Sequence, residues 1–252
     1  MARKDTGKNR GRAARKVPTG VGGTRRDGNS RGTKTRQRIV GHATLLMYEK
    51  GYSRTSVEDV IKACGITKGS FYFHFSSKEE LGYAVIENAT QHVAGRLRSA
   101  MREQMPPAER LTAALEELQR IVMEADCCRG CILGNLALEL SNQHDGFREK
   151  LAGSFQQLAD IIAGPLAEMK ENGELPADLD PAAFASYAVS AIEGGIMMSK
   201  VTRDPEPMRR CAQMLLNQVE SMRRGEPGSI ARRRSSGDLR ECMGETRQRK
   251  GV

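Results

Sequence analysis

The sequence predicts an all-α fold of nine helices, and three observations carry that reading. Ala, Leu, Glu, Arg, Gln and Met, which helices favour, dominate residues 34–222. Period-two alternation, the mark of a half-buried strand, is scarce there. Caps and breakers recur at helical spacing along the whole stretch.

The elements follow in order. A first helix over 34–50 puts Ile39, Ala43, Leu46 and Met47 on one face and stops at Gly51. A second begins at Thr55, whose T-x-x-E box reaches Glu58. It buries Val57, Val60, Ile61 and Cys64 at i, i+3, i+4, i+7 and ends at Gly65. A short third covers 67–74. A fourth opens at Ser77 with a second box, reaching Glu80, and runs to about 101. Pro106-Pro107 open a fifth that ends near 125. A sixth spans 130–141, and a seventh 145–172 with a kink expected at Pro165. Asp180-Pro181 and Asp204-Pro205 each set an N-cap before a proline, opening an eighth and a ninth.

The 252 residues carry a formal net charge of +9, unevenly spread. Residues 1–33 hold ten Lys/Arg against two Asp, and 223–252 hold nine against four acids. Residues 34–80 hold eight bases and five acids, whereas 81–222 hold thirteen and twenty. Basic ends on an acidic body suit a protein that offers one face to a polyanion. Both ends, 1–33 and 225–252, contain few large apolar residues and read as a disordered basic arm and tail. No apolar run approaches the ~18 residues of a membrane span. No apolar segment of a secretory leader follows the basic start, so a cytoplasmic protein with no membrane partner is expected. Six cysteines in such a chain are expected to be thiols.

Helices two and three are separated by Gly65-Ile66-Thr67, which fits a helix-turn-helix. The second helix of that motif lies in the major groove with its N-terminal side chains on the bases. Here those are Thr67, Lys68, Gly69 and Ser70, small, polar or basic as close approach to DNA requires. Four of the eleven aromatic residues fall within 71–75. Phe71 and Phe75, at i and i+4, are expected to pack inward and leave Tyr72 and His74 for phosphates. Lys78, at the start of helix four, adds an ammonium to a helix dipole for one further phosphate.

Residues 51–60 (GYSRTSVEDV), 63–75 (ACGITKGSFYFHF) and 77–81 (SKEEL) resemble the N-terminal domain of the TetR/AcrR family of bacterial repressors. The resemblance implies all-α homodimers of the nine-helix TetR-like fold. These bind palindromic double-stranded DNA operators and release them when a small-molecule inducer enters the C-terminal domain. It adds Thr55 and Ser56 to the DNA contacts and repeats Thr67, Lys68, Ser70, Tyr72, His74 and Lys78. The implied domain plan is a basic arm at 1–33, a DNA-binding domain at 34–83, a ligand and dimerisation domain at 84–224, and a basic tail at 225–252. A bacterial, nucleoid-associated regulator of transcription is therefore expected. The other class open at this point is a non-specific nucleic-acid binder acting through its basic ends.

In the C-terminal domain, Cys131, Asn135 and Glu139 fall at i, i+4, i+8, a polar stripe suited to lining a ligand cavity. With Cys128 they are the candidate sensor residues. The passage is similar to the sixth-helix region of a subgroup that includes electrophile-responsive repressors. The start of a helix is expected to depress a thiol pKa, making Cys131 the reactive one; the bland alternative is a buried cluster with no ligand. Cys128-x-x-Cys131 lacks the second ligand pair of a structural zinc site, so no metal is expected. No nucleophile elbow, P-loop or H-E-x-x-H is present, so neither catalysis nor a cofactor is expected. Small residues on helix eight, Ser190, Ala191, Gly194 and Gly195, with Met208, Cys211 and Leu215 on helix nine, are expected to form the dimer interface.

Overall fold

The computed structural model describes residues 25–124 and 129–225, and these form nine helices with no strand among them. They are α1 (Arg25–Lys50), α2 (Val57–Cys64), α3 (Lys68–His74), α4 (Lys78–Ala100), α5 (Pro107–Glu124), α6 (Ile132–Leu140), α7 (Asp145–Glu171), α8 (Pro181–Thr202) and α9 (Glu206–Arg223). Residues 1–24 of the arm, 226–252 of the tail, Cys127 and Cys128 lie outside the described residues. The contacts below fall within one compact unit that begins at Arg38.

Local chemistry sets the helix ends. Ser56, one residue after the expected position, caps α2. Its Oγ accepts from the Asp59 N–H at 3.0 Å, and the Asp59 carboxylate accepts from the Ser56 N–H at 2.9 Å. Thr55 cannot serve because it is turned inward, 1% exposed, with its hydroxyl donating to the Gly51 carbonyl at 2.7 Å. Gly65 ends α2 at φ +61°, a left-handed conformation that glycine adopts without a Cβ clash. Thr67 caps α3 by accepting from the Ser70 N–H at 3.1 Å. Ser77 caps α4, but Glu80 takes the Ser76 N–H at 2.7 Å, so that box stays open.

Two other ends differ from expectation. α1 begins at Arg25 instead of near 34; no proline there interrupts the backbone ladder. Asp180 caps α8 as expected, whereas Asp204 accepts from the Glu206 N–H and α9 begins one residue late. Pro165, where a kink is expected, is buried within α7.

Two apolar clusters fill the interior. The first joins α1 (Ile39, Val40, Ala43, Met47) to Val60, Phe71 and Phe75, and continues through Leu81 and Val85 of α4 into Leu136 and Phe147. It crosses the expected domain boundary at 83/84, because α4 is one unbroken helix through that point. The second cluster joins α5, α7, α8 and α9 around Leu115, Ile162, Leu166, Ile192 and Leu215.

Gly82 is where the first cluster is tightest. A Cβ there would stand 2.7 Å from Phe147 Cζ and 2.9 Å from Tyr52 Cε2, ring atoms held by their own packing. Gly82→Val is expected to destabilise the fold by about 1–3 kcal/mol, read as a lower melting temperature. Gly95→Ala, in the same helix with nothing within 4 Å of the added carbon, should melt at or above the parent.

Candidate functional site

The turn between α2 and α3 places a short helix with one face inward and the other outward. Phe71 and Phe75 are buried and set the inward direction. Lys68 and Tyr72 flank the core, and both are exposed. The Lys68 ammonium stands 3.8 Å from a Glu58 oxygen and 6.0 Å from the Tyr72 ring centre. That pair is exposed on both sides and therefore weak, which leaves the lysine available to a stronger anion. Ser56 and Thr67 each spend one lone pair on a cap and keep an O–H to donate. Ser70 and His74 are partly exposed, and the His74 ring meets the edge of Phe73 at 5.0 Å.

Two expected DNA contacts sit differently. The Thr55 side chain is buried and committed to the Gly51 carbonyl, so it holds the α1–α2 turn and presents no surface to a phosphate. Lys78 folds back: its ammonium donates to the Ser53 carbonyl at 3.2 Å and lies 4.3 Å over the Tyr52 ring. Burial lowers its pKa, and the nearby Glu139 carboxylate opposes that shift.

Glu139 is the largest departure. Its carboxylate accepts from two successive backbone donors in the α1–α2 turn, Tyr52 N–H at 2.9 Å and Ser53 N–H at 2.7 Å. It does not line the cavity expected of it; the helical stripe from Cys131 runs out at the α1–α2 turn. Burial works to raise its pKa, but the bonds from Ser53 and Tyr52 and the charge of Lys78 hold the carboxyl below its usual range.

The other end of α6 does border a cavity. About 660 Å³ opens between α6, α7 and α8, with Phe155, Val189 and Ile196 among its apolar walls. Its charged groups are Glu193 and Lys200, both on α8, and the Lys200 ammonium donates to Asn135 Oδ1 at 2.9 Å. Cys131 is the N-cap of α6, its sulfur accepting from the Gly134 N–H at 3.5 Å. Its thiol pKa is pushed well above the ordinary value, first by burial and then by Glu193, the reverse of the depression expected from a helix start. Burial likewise raises the Glu193 carboxyl, against a hydrogen bond from Cys131 that lowers it. A second interior space of about 100 Å³ borders Cys131, Glu193 and Tyr48 of α1. The Tyr48 hydroxyl is pushed up to about 12, by burial before the charge of Cys131.

Of the expected dimer residues, Met208 and Leu215 are buried in the chain's own core, and Gly195 is used within the chain, lying 3.0 Å (from its would-be Cβ) from Met208 Cα and Cys211 Sγ of α9. The outward faces carry Tyr187, Met197, Met198 and Val201 on α8 and Met214 on α9, all exposed. Sequence reasoning missed Phe73, Glu193 and Lys200. Phe73 had a signal, since the 71/75 spacing that sends its neighbours inward sends it outward. Among the described residues no group of His, Cys, Asp and Glu is placed to hold a metal ion.

Residues 39–85 match the family described as bacterial regulatory proteins, tetR family, and 107–215 match the tetracyclin repressor-like C-terminal domain. The chain is 31% identical over 177 residues to the HTH-type transcriptional repressor DhaR of Mycobacterium sp. (strain GP1), covering 70% of this chain and 87% of that one. It is 34% identical over 161 residues to the transcriptional regulator AcuR of Cereibacter sphaeroides, covering 64% and 74%. A crystal structure of a regulatory protein TetR from Rhodobacter sphaeroides superposes with a TM-score of 0.66 at 30% identity, over 73% of this chain and 97% of that one.

The Glu139 contact has a pH signature. A carboxyl held below its ordinary 4.5 adds stability when ionised, present above that pH and lost as pH falls through the lowered value. Glu139→Gln is expected to lower stability by about 2 kcal/mol at pH 7. The difference in melting temperature from the parent should shrink steadily below pH ~4.5; a constant difference would contradict the contact.

Proposed function

Since the chain belongs to the TetR family of bacterial regulatory proteins and is a DNA-binding transcriptional regulator, we propose that it represses transcription as a homodimer and leaves its operator when a small molecule fills the α6–α8 cavity. The observation that carries this reading is α3, which follows the Gly65 turn with Lys68, Gly69, Tyr72 and Phe73 outside and Phe71 and Phe75 inside. In the major groove Thr67, Lys68, Gly69 and Ser70 approach base edges, while Ser56, Tyr72 and His74 bond phosphates. Lys78 acts indirectly, by fixing the Ser53 carbonyl and so the start of α2.

Two half-sites are read together only if a dimer fixes their spacing. The exposed apolar residues of α8 and α9 support that pairing. The partners are thus double-stranded operator DNA, a second copy, and an inducer that is apolar with a polar group for Glu193 or Lys200. The inducer binds without a covalent bond, because a thiol held protonated is a poor nucleophile. Entering between α6 and α8, it displaces Lys200 from Asn135, shifts α6, and carries Glu139 and the α1–α2 turn with it. The protein works by binding, with no catalytic step or cofactor, on nucleoid DNA in the cytoplasm. No helix among the described residues is long and apolar enough to cross a membrane.

Duplexes selected from random DNA by the full-length protein should share a palindrome, bound at least a thousand-fold more tightly than unrelated DNA. Lys68→Ala is expected to abolish that preference, and Tyr72→Ala to weaken selected and unrelated duplexes alike, both with melting unchanged. Equal binding of selected and unrelated DNA would point instead to the basic ends. Separately, Met198→Glu on the outer face of α8 should give a monomer by light scattering at micromolar concentration, with operator affinity reduced at least ten-fold. A dimeric mass would remove α8 from the interface.

A further inference from the structure

The outermost line of α3 is made of two residues that the free protein does not explain. At 100° per residue, Gly69 and Phe73 share a line nearly opposite Phe71 and Phe75. Gly69 lies inside a helix, where glycine is among the poorest formers. Nothing in the chain demands it: a Cβ would meet only Thr67 Oγ1, at 4.0 Å. Phe73, one turn on, is 81% exposed, and its ring meets the neighbouring His74 edge-on at 5.0 Å. Each residue stands where an alanine or a polar side chain would serve the isolated fold better.

We infer that Phe73 reads the C5 methyl group of a thymine in each operator half-site, and that Gly69 is bare so that the helix can sink far enough for the ring to reach it. The inference rests on α3 being the groove-reading helix. Tyr72 beside it has a hydroxyl for a phosphate, and Lys68 and Ser70 have donors for base edges. Phe73 can neither donate nor accept. The thymine methyl is the apolar group that the four base pairs display in the major groove. An exposed phenyl ring on the reading face therefore selects for thymine by burying that methyl. It discriminates against cytosine, which lacks one.

The test uses an operator selected by the full-length protein and synthesised with each thymine replaced, one at a time, by deoxyuridine, which removes the methyl alone. For the parent protein, one symmetric pair of positions is expected to weaken binding. The loss should be about four-fold for each methyl, the worth of one buried CH2 group, and about fifteen-fold for both. Phe73→Ala should bind the thymine operator about as weakly as the parent binds the uracil one, and should be indifferent to uracil at that pair. Phe73→Leu should keep part of the dependence. Parent binding that ignores every uracil overturns the inference even if the variants fail to fold. A uracil penalty that persists in Phe73→Ala assigns the methyl to another side chain and overturns it as well. If Lys68→Ala abolishes specific binding in either case, α3 remains the reading helix and only the role of Phe73 falls. If no palindrome is selected, both readings fall together.

Discussion

Helix α6 is held at both ends by the end of α1 and the turn that follows it, and the coupling of the two halves of the protein depends on that grip. At its C-terminal end the Glu139 carboxylate takes the N–H groups of Tyr52 and Ser53. At its N-terminal end the Tyr48 hydroxyl reaches the Ile132 backbone and the Cys131 environment. Nine residues of α-helix span about 13 Å, so one short rigid rod connects both contacts. Its first turn is also a wall of the large cavity, where Asn135 meets Lys200. Whatever moves that wall moves the turn that leads into α2 and α3. Charge-assisted bonds to backbone donors hold the turn in one place and weaken steeply with a shift of about 1 Å.

The electrostatics of the cavity follow from burial. An exposed thiol at a helix start would ionise more easily, through the dipole. Here the sulfur is enclosed and faces a carboxyl that burial also raises, so both groups favour their neutral forms. Lys200 is half-buried and has a neutral acceptor in Asn135. The cavity thus combines apolar walls with a carboxyl that burial pushes toward its neutral form and a lysine ammonium.

Much of the fold could be read from the sequence because its determinants are local. Caps such as Thr67, Ser77 and Asp180, and the glycine at 65, act over two to four residues, and the structure uses them at the expected places. The outward residues Lys68 and Tyr72 followed from the spacing of Phe71 and Phe75. Errors arose where two local signals compete. Thr55 and Ser56 are both good caps, and only the packing of the α1–α2 turn decides that the first goes inside. The role of Glu139 was illegible, since its partners lie 86 and 87 residues away and are backbone groups without a side-chain signature. Glu193, in a run of small residues, carries no local signal of burial; helices distant in sequence, α6 among them, enclose it.

The central claim is that α6 carries the state of the cavity to the α1–α2 turn, and amide hydrogen exchange at Tyr52 and Ser53 tests it most directly. Val189 borders both cavities, so Val189→Trp imitates an occupant without requiring a ligand. In the parent, both amides should be protected by Glu139. In Val189→Trp, both should exchange at least ten-fold faster, with the α3 amides outside that turn unchanged in rate and operator affinity reduced. Full protection at Tyr52 and Ser53 in a Val189→Trp protein that has nonetheless lost its operator would contradict the account, because the signal would then reach the DNA-binding helices by another path.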